Sequence, residues 1–275
     1  MLHTASLNRI LFQLQKGKIM SQRKLLLAHI RKGNYAHAGE EQAIDLVLNL
    51  ITPDPNQTLL DIGCGLGGTA KYIQEKGYGH VTGIDIDPTV LEQAKEYYPN
   101  IPFYYCDANL LNDFFFGSSF KGNQKFSVLY SFNAFFCFQN QENCLKQFAL
   151  LAKPQAELLI FDYTSPGHFS GSSPFTDETK QSTAALRFNP INLSNIATNL
   201  KACSWKLEKI ISLDIQYRTW YQELIHKMES KKEDLIARFG STPFYDLYQG
   251  YQKLSEMLKQ GIVGGGIVYA KKIQK

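Results

Sequence analysis

The residues best equipped for chemistry fall in one short stretch, Leu59-Leu60-Asp61-Ile62-Gly63-Cys64-Gly65-Leu66-Gly67-Gly68. An apolar, β-rich run leads into Gly63-x-Gly65-x-Gly67, and a helix-period segment comes after it. Glycines at this spacing let the backbone turn sharply and approach a ligand closely. A second acidic point, Asp85, ends the next β-rich run within Gly83-Ile84-Asp85-Ile86-Asp87. A carboxylate about twenty residues beyond a glycine turn, at the end of a second strand, is placed to accept the hydroxyls of a ribose. Together these features signal a cofactor that carries a nucleoside. The glycines do not follow the Gly-x-Gly-x-x-Gly pattern of a pyrophosphate site, and Asp61 stands two residues before the first of them. A carboxylate there suits a cation, such as an amino-acid ammonium, better than a diphosphate.

Positioning such residues takes a sheet, and the pattern supplies one. Strand-like runs occur at Leu59–Ile62, His80–Asp85, Ile101–Tyr105, Phe126–Tyr130 and Glu157–Phe161, with helix-period segments at Thr69–Lys76, Pro88–Tyr97 and Asn143–Ala152 between them. Alternation of this kind predicts a parallel sheet with helices on both faces. The continuous rather than alternating hydrophobicity of the runs fits strands buried on both sides. Beyond Phe161, Thr164–Thr183 reads as a long loop, Leu193–Ala202 as a helix and Trp205–Leu213 as a strand. Two helical stretches come next, Tyr217–Phe239 and Tyr245–Lys259, before a closing strand at Ile267–Ala270. The helical insertion is too long for a simple turn and reads as a cap near the mouth of the sheet.

Composition bounds the function. With 275 residues, 44% hydrophobic and 20% charged, the chain can bury a large core and is not disordered. A net charge of +4 falls short of a dedicated nucleic-acid binder, so no nucleic-acid partner is expected. The five cysteines form no Cys-x-x-Cys pair, which argues against a zinc cluster or disulfide framework and for a reducing, cytoplasmic setting. No two histidines have metal-ligand spacing on a helix face, and no metal is expected. No apolar run reaches the roughly 18 residues of a membrane span, and the N-terminus lacks a signal-peptide layout, so no stable membrane insertion is expected. Nothing in the pattern sets an oligomeric state. From Met1 to Gly39 there is no Asp or Glu but there are seven Lys and Arg, including Arg23, Lys24 and Arg31. Leu7, Ile10, Leu11 and Leu14 fall on one helical face, so this segment reads as an amphipathic helix with a solvated basic side. A membrane-surface or targeting role is the alternative reading.

The glycine stretch resembles motif I of the class I S-adenosylmethionine-dependent methyltransferases. The resemblance extends through Asp85, through Cys106-Asp107-Ala108 after the third strand, and through Leu151-Ala152-Lys153-Pro154 before the fifth. It implies a Rossmann-like α/β fold with a seven-stranded, mostly parallel sheet and an antiparallel last strand. A helical lid would occupy residues 1–40 and a methyltransferase domain residues 41–275, with the helical cap at 215–260 inserted before the last strand. It also implies S-adenosylmethionine as cofactor and S-adenosylhomocysteine as product. Gly63, Gly65, Gly67 and Asp61 would hold the methionine part, Asp85 the ribose, and Asp107 the adenine amino group. Ile86, Ala108, Ser131 and Tyr35 complete the implied cofactor set.

A narrower resemblance is to small-amine N-methyltransferases of the phosphoethanolamine and sarcosine–dimethylglycine type. It rests on Gly33-Asn34-Tyr35-Ala36-His37-Ala38-Gly39, on Tyr130-Ser131-Phe132-Asn133-Ala134, on Phe161-Asp162-Tyr163 and on the helical stretch from Tyr217. It implies a small-molecule amine as methyl acceptor. The catalytic dyad of the phosphoethanolamine enzymes is absent: Phe132, Asn133 and Cys137 replace their Arg, Asp and His, and Tyr35 is the first tyrosine of the chain. The phosphobase itself is therefore not carried over. Asn133 and Tyr163, after the fourth and fifth strands, and His37 in the lid are the candidate catalytic residues. Tyr217, Trp220 and Tyr221, with Tyr245, Tyr248 and Tyr251, are either a packed helix face or a cage for a methylated ammonium. Two other readings are weighed. An RNA- or protein-directed methyltransferase would dock through the basic N-terminus, but the Asn-Pro-Pro-Tyr signature is missing, since Ala134 follows Asn133. The other is a non-catalytic S-adenosylmethionine-binding module.

Overall fold

The structure is a computed structural model that describes residues 22–31, 33–117, 124–175 and 188–274. The amphipathic helix expected around Leu7–Leu14 lies outside these residues. Residues 22–30 form a helix, α1.

Eight strands build one sheet: β1 Thr58–Ile62, β2 His80–Asp85, β3 Phe103–Tyr105, β4 Phe126–Phe132, β5 Ala152–Ser165, β6 Ile191–Asn192, β7 Trp205–Ser212 and β8 Gly264–Lys272. Their order is β3-β2-β1-β4-β5-β8-β7, with β6 paired to the end of β5. All pairings are parallel except those of β8, which runs antiparallel to β5 and to β7. The seven-strand path has the expected form. The additional β6 is two residues long, too short to leave a periodic signal, and pairs Thr164 and Ser165 with Ile191 and Asn192.

The helices are α2 Glu40–Leu48, α3 Gly68–Glu75, α4 Pro88–Tyr97, α5 Leu111–Phe116, α6 Gln141–Leu151, α7 Ile196–Ala202, α8 Asp214–Ser230, α9 Lys232–Phe239 and α10 Ser241–Lys259. The start of α4 is locally encoded: Pro88 fills the first turn and the Asp87 carboxylate accepts from the amides of Thr89 and Val90. The stretch from Tyr217 to Phe239, expected as one helix, breaks at Lys231, which leaves the helical region at φ −109° and ψ 11°.

Successive strand residues point to opposite faces, and both faces are covered. Leu59, Val81, Val128, Leu159 and Ile267 pack into one core with α1, α2, α8 and α10. Leu60, Ile84, Leu129, Leu158 and Val268 pack into the other with α5, α6 and α7. This two-sided burial is why the strands read as unbroken apolar runs. The cap helix α8 lies so close to β8 that a Cβ on Gly265 would run into the Tyr217 ring, so the strand needs glycine there.

Candidate active site

The loop between β1 and α3 turns at three glycines in the left-handed region, Gly63 (φ 83°), Gly65 (φ 53°) and Gly67 (φ 80°). A Cβ on Gly63 would collide with the Ala134 methyl group, and one on Gly67 with the Phe103 ring. The Gly63 and Cys64 amides both donate to the Ile84 carbonyl at 2.9 Å, tying the loop to β2. The Gly65 amide donates at 2.8 Å to one oxygen of Asp85. The other Asp85 oxygen accepts from the Asp87 amide at 2.9 Å and from the Lys24 ammonium at 2.8 Å. The sequence pattern places Asp85 at a ligand but gives Lys24 no partner.

Asp61 and Tyr130 face each other from β1 and β4 and are buried. Among the described residues, Asp61 Oδ2 and the Tyr130 hydroxyl have no hydrogen-bond partner. Burial, reinforced by the charge of Asp85, pushes the Asp61 carboxyl well above the usual carboxylate range. A buried acid with one unsatisfied oxygen beside a glycine turn fits an ammonium, which would restore its charge balance. Ile86 and Tyr105, at the ends of β2 and β3, are 53% and 60% exposed and offer apolar surface beside Asp107. Asp107 accepts the Asn109 amide at 2.8 Å. Ala108 is buried next to it. Ser131 is fully buried and donates to the Ile62 carbonyl at 2.9 Å, bracing β4 against β1. These residues fit a cofactor with an amino-acid end, a ribose and a flat base.

Residues 33–39 cover the start of α3. A Cβ on Gly68 would collide with the Gly33 carbonyl, and Asn34 donates to the Tyr98 hydroxyl at 2.8 Å. Tyr35 is buried and its hydroxyl reaches Glu41 at 3.3 Å. His37 is buried with both ring nitrogens engaged: Nδ1 donates to the Ala38 carbonyl and Nε2 accepts from the Thr69 hydroxyl, each at 3.0 Å. Burial lowers its pKa to about 3, so the ring is neutral. Helices α1 and α2 also touch α8 and α9. Trp220 donates to Gln42 at 2.8 Å, Lys227 pairs with Glu40 at 3.2 Å, and His29 meets Asp234 at 2.9 Å.

Asn133 stands where lid, sheet and cap meet. Its backbone is left-handed, at φ 44°, and its amide donates to the Phe161 carbonyl at 2.8 Å. Its side-chain oxygen accepts from the Ala38 amide at 3.2 Å. Its Nδ2 donates to the Tyr217 hydroxyl at 3.1 Å and to Asp162 at 3.4 Å. Asp162 is fully buried on β5 and accepts from the amides of Tyr163 and Phe136 at 2.7 and 3.0 Å. Burial raises its pKa to about 7, and these hydrogen bonds oppose part of that rise. Among the described residues no cation pairs with it. Sequence reasoning met Asp162 only as part of the resemblance and gave it no role, although an acid inside the apolar run Leu158–Tyr163 is itself a signal of a buried charge.

Tyr163 is buried among rings. Its centroid is 5.7 Å from Tyr217 and 6.0 Å from Tyr221, and its hydroxyl hydrogen-bonds that of Tyr221. Tyr217, Trp220 and Tyr221 thus come to the carboxyl end of β5 and pack on one another there, with Tyr251 stacked on Tyr221 at 5.4 Å. Cys137 donates to the Ala134 carbonyl at 2.9 Å, and burial, with the charge of Asp162, pushes its thiol up to about 12. A thiol in that state gives no base at the position where the phosphoethanolamine enzymes carry histidine.

Residues 35–209 match a family described as "Methyltransferase domain". Phosphoethanolamine N-methyltransferase of Plasmodium falciparum is 28% identical over 224 residues, covering 80% of this chain and 80% of the relative. Phosphoethanolamine N-methyltransferase 1 of Zea mays is 24% identical over 243 residues, covering 86% of this chain, and the chain spans 46% of that protein's length. Among solved structures, Haemonchus contortus phosphoethanolamine N-methyltransferase 2, in complex with phosphomonomethylethanolamine and S-adenosylhomocysteine, superposes with a TM-score of 0.75 at 19% identity. That superposition covers 91% of this chain and 57% of the nematode chain, and at such identity the likeness is one of fold.

Proposed function

The chain belongs to the methyltransferase-domain family and is an S-adenosylmethionine-dependent methyltransferase, and on that premise we propose that it methylates a small-molecule amine. The observation that carries this reading is Asp162, a buried carboxylate with no cation paired to it among the described residues, joined through Asn133 to the Tyr217 hydroxyl at the edge of the Tyr163–Tyr217–Tyr221 ring cluster. A negative charge backed by aromatic faces favours an ammonium over an anion or a neutral hydroxyl. The curated relatives, named for phosphoethanolamine, are consistent with an amine.

Each residue's role comes from its place. The amides of the Gly63–Gly67 loop and the Asp61 carboxylate would hold the amino-acid end of S-adenosylmethionine. Asp85 would take the ribose hydroxyls, Asp107 the adenine amino group, and Ile86 and Ala108 the faces of the base, with Tyr35 and Ser131 bracing the walls. When bound, the cofactor supplies a methyl group already made electrophilic by its sulfonium. The chain must then orient the acceptor, exclude water and remove one proton from an ammonium. Asn133 and Tyr163 are the groups we assign to orientation. Asp162, poised near neutrality, is suited to receiving the proton. His37 has no free nitrogen, so its part in our reading is to fasten the lid. In our reading the described residues before α2 act as lid and residues 41–275 as the methyltransferase domain, with the cap at 215–260; residues 1–21 of the expected lid lie outside the described residues. The five free cysteines support a reducing, cytoplasmic setting. No described helix is long and apolar enough to cross a membrane.

The test is a screen of small amines, phenols and carboxylic acids with a coupled assay for S-adenosylhomocysteine. Turnover confined to amines supports the reading. Turnover only with RNA or protein acceptors overturns it.

A further inference from the structure

The cofactor carboxylate Asp85 is already engaged, and by the lid. Lys24 on α1 places its ammonium 2.8 Å from Asp85 Oδ1 and 3.8 Å from Asp87 Oδ2. It is 21% exposed, and its neighbours on the site side are Asp85, Asp87 and the protonated thiol of Cys137. Burial alone would lower the Lys24 pKa, but the two carboxylates outweigh it and the net shift is upward, so the ammonium stays charged. The Asp87 amide and Lys24 fill Asp85 Oδ1, while Oδ2 holds only the Gly65 amide and keeps one acceptor site. A ribose that places one hydroxyl on each oxygen must therefore displace a donor from Oδ1. The two amides are fixed by the loop backbone. Lys24 sits on a flexible stem and is the donor that can leave.

We propose that Lys24 is an affinity-determining residue of the cofactor site, its ammonium occupying the ribose position on Asp85 so that cofactor binding exchanges the lid's own cation for the ribose hydroxyls. This rests on the reading of Asp85 as the ribose ligand. A protein whose binding-competent state is a minority binds with an affinity reduced by that fraction. Removing the competing cation therefore tightens binding, whereas removing a residue that holds the ligand would weaken it.

The test uses the full chain and two variants, Lys24→Met and Lys24→Arg, with S-adenosylhomocysteine as the calorimetric probe. Lys24→Met keeps the apolar stem and loses the charge, and it should bind the probe about tenfold more tightly. Lys24→Arg keeps the ion pair and should stay within about threefold of the parent. Without any ligand, amide hydrogen exchange across residues 22–30 should be faster in Lys24→Met than in the parent and unchanged in Lys24→Arg. Binding by all three proteins with equal affinity, or weaker binding by Lys24→Met, overturns the proposal and leaves the cofactor reading intact. If none of the three binds the probe while the exchange difference persists, the cofactor reading itself has failed, and the proposal with it.

Discussion

The side-chain amide of Asn133 donates to the hydroxyl of Tyr217 at 3.1 Å, joining the end of β4 to a cap helix 84 residues away in sequence. The same side chain accepts the Ala38 amide from the lid. The N-terminal segment and α8 are therefore both tied to one residue at the end of β4.

Replacing Asn133 by glycine keeps the left-handed backbone without strain and deletes the side-chain contacts. We expect kcat/KM to fall about a hundredfold, with affinity for S-adenosylhomocysteine changed less than about threefold. Asn133→Ala should add about 1 kcal/mol of destabilisation from the positive φ. Steady-state kinetics with calorimetry and urea unfolding separate these effects. Parent-like kcat/KM in Asn133→Gly would remove Asn133 from the acceptor site.

Asp85→Ala should weaken S-adenosylhomocysteine binding by roughly 2–4 kcal/mol, the cost of losing charge-assisted hydrogen bonds. Circular dichroism should show a folded chain. Unchanged calorimetric affinity would show that ribose binds elsewhere.

Gly265→Ala forces a methyl group into the Tyr217 ring. Overpacking of this kind costs about 1–3 kcal/mol, which thermal melting should register as a drop of a few degrees. Adding Tyr217→Ala should relieve the clash, so the double variant should be more stable than the sum of the single effects allows. Simple additivity would contradict the contact.

The pH dependence carries two opposite signs. Asp162 is raised to about 7 by burial, so the folded chain binds its proton more tightly than the unfolded one. The stability it contributes is present below about pH 4 and is lost as pH rises to about 7. His37 is lowered to about 3, so its contribution is present above about pH 6.5 and is lost as pH falls towards 3. Urea midpoints across pH 4–8 should decline less steeply towards neutral pH in Asp162→Asn. His37→Asn should lose part of the acid sensitivity of the parent. If Asp162 takes the acceptor's proton, kcat/KM should rise to a plateau above about pH 7 in the parent and lose that limb in Asp162→Asn.

The legible part of the sequence was local. The glycine spacing, the Asp87-Pro88 cap and the apolar runs of β1, β2, β4 and β5 each encode their structure within a few residues, and their order dictates the fold. The break at Lys231 and the two-residue β6 carry no comparable signal, because packing rather than pattern decides them. Apart from Tyr35, which precedes α2, the cofactor-side candidates lie at or near the carboxyl ends of β1 to β4, since each of those was tied to a strand end. Asp162 and Lys24 were visible but given no role, for different reasons. Asp162 is hidden in an apolar run that also reads as core. Lys24 gains its meaning only from a carboxylate 61 residues away.

The absence of acidic residues before Glu40 has a consequence for the order of assembly. The basic side chains of α1 cannot be neutralised within their own segment. Their partners are Asp85, 61 residues on, and Asp234, 205 residues from His29. Such contacts form only after the sheet and the cap exist, because closing long loops early is entropically unfavourable. The charged contacts of α1 thus depend on the sheet and the cap being in place, so we expect α1 to exchange its amides faster than the strands it covers.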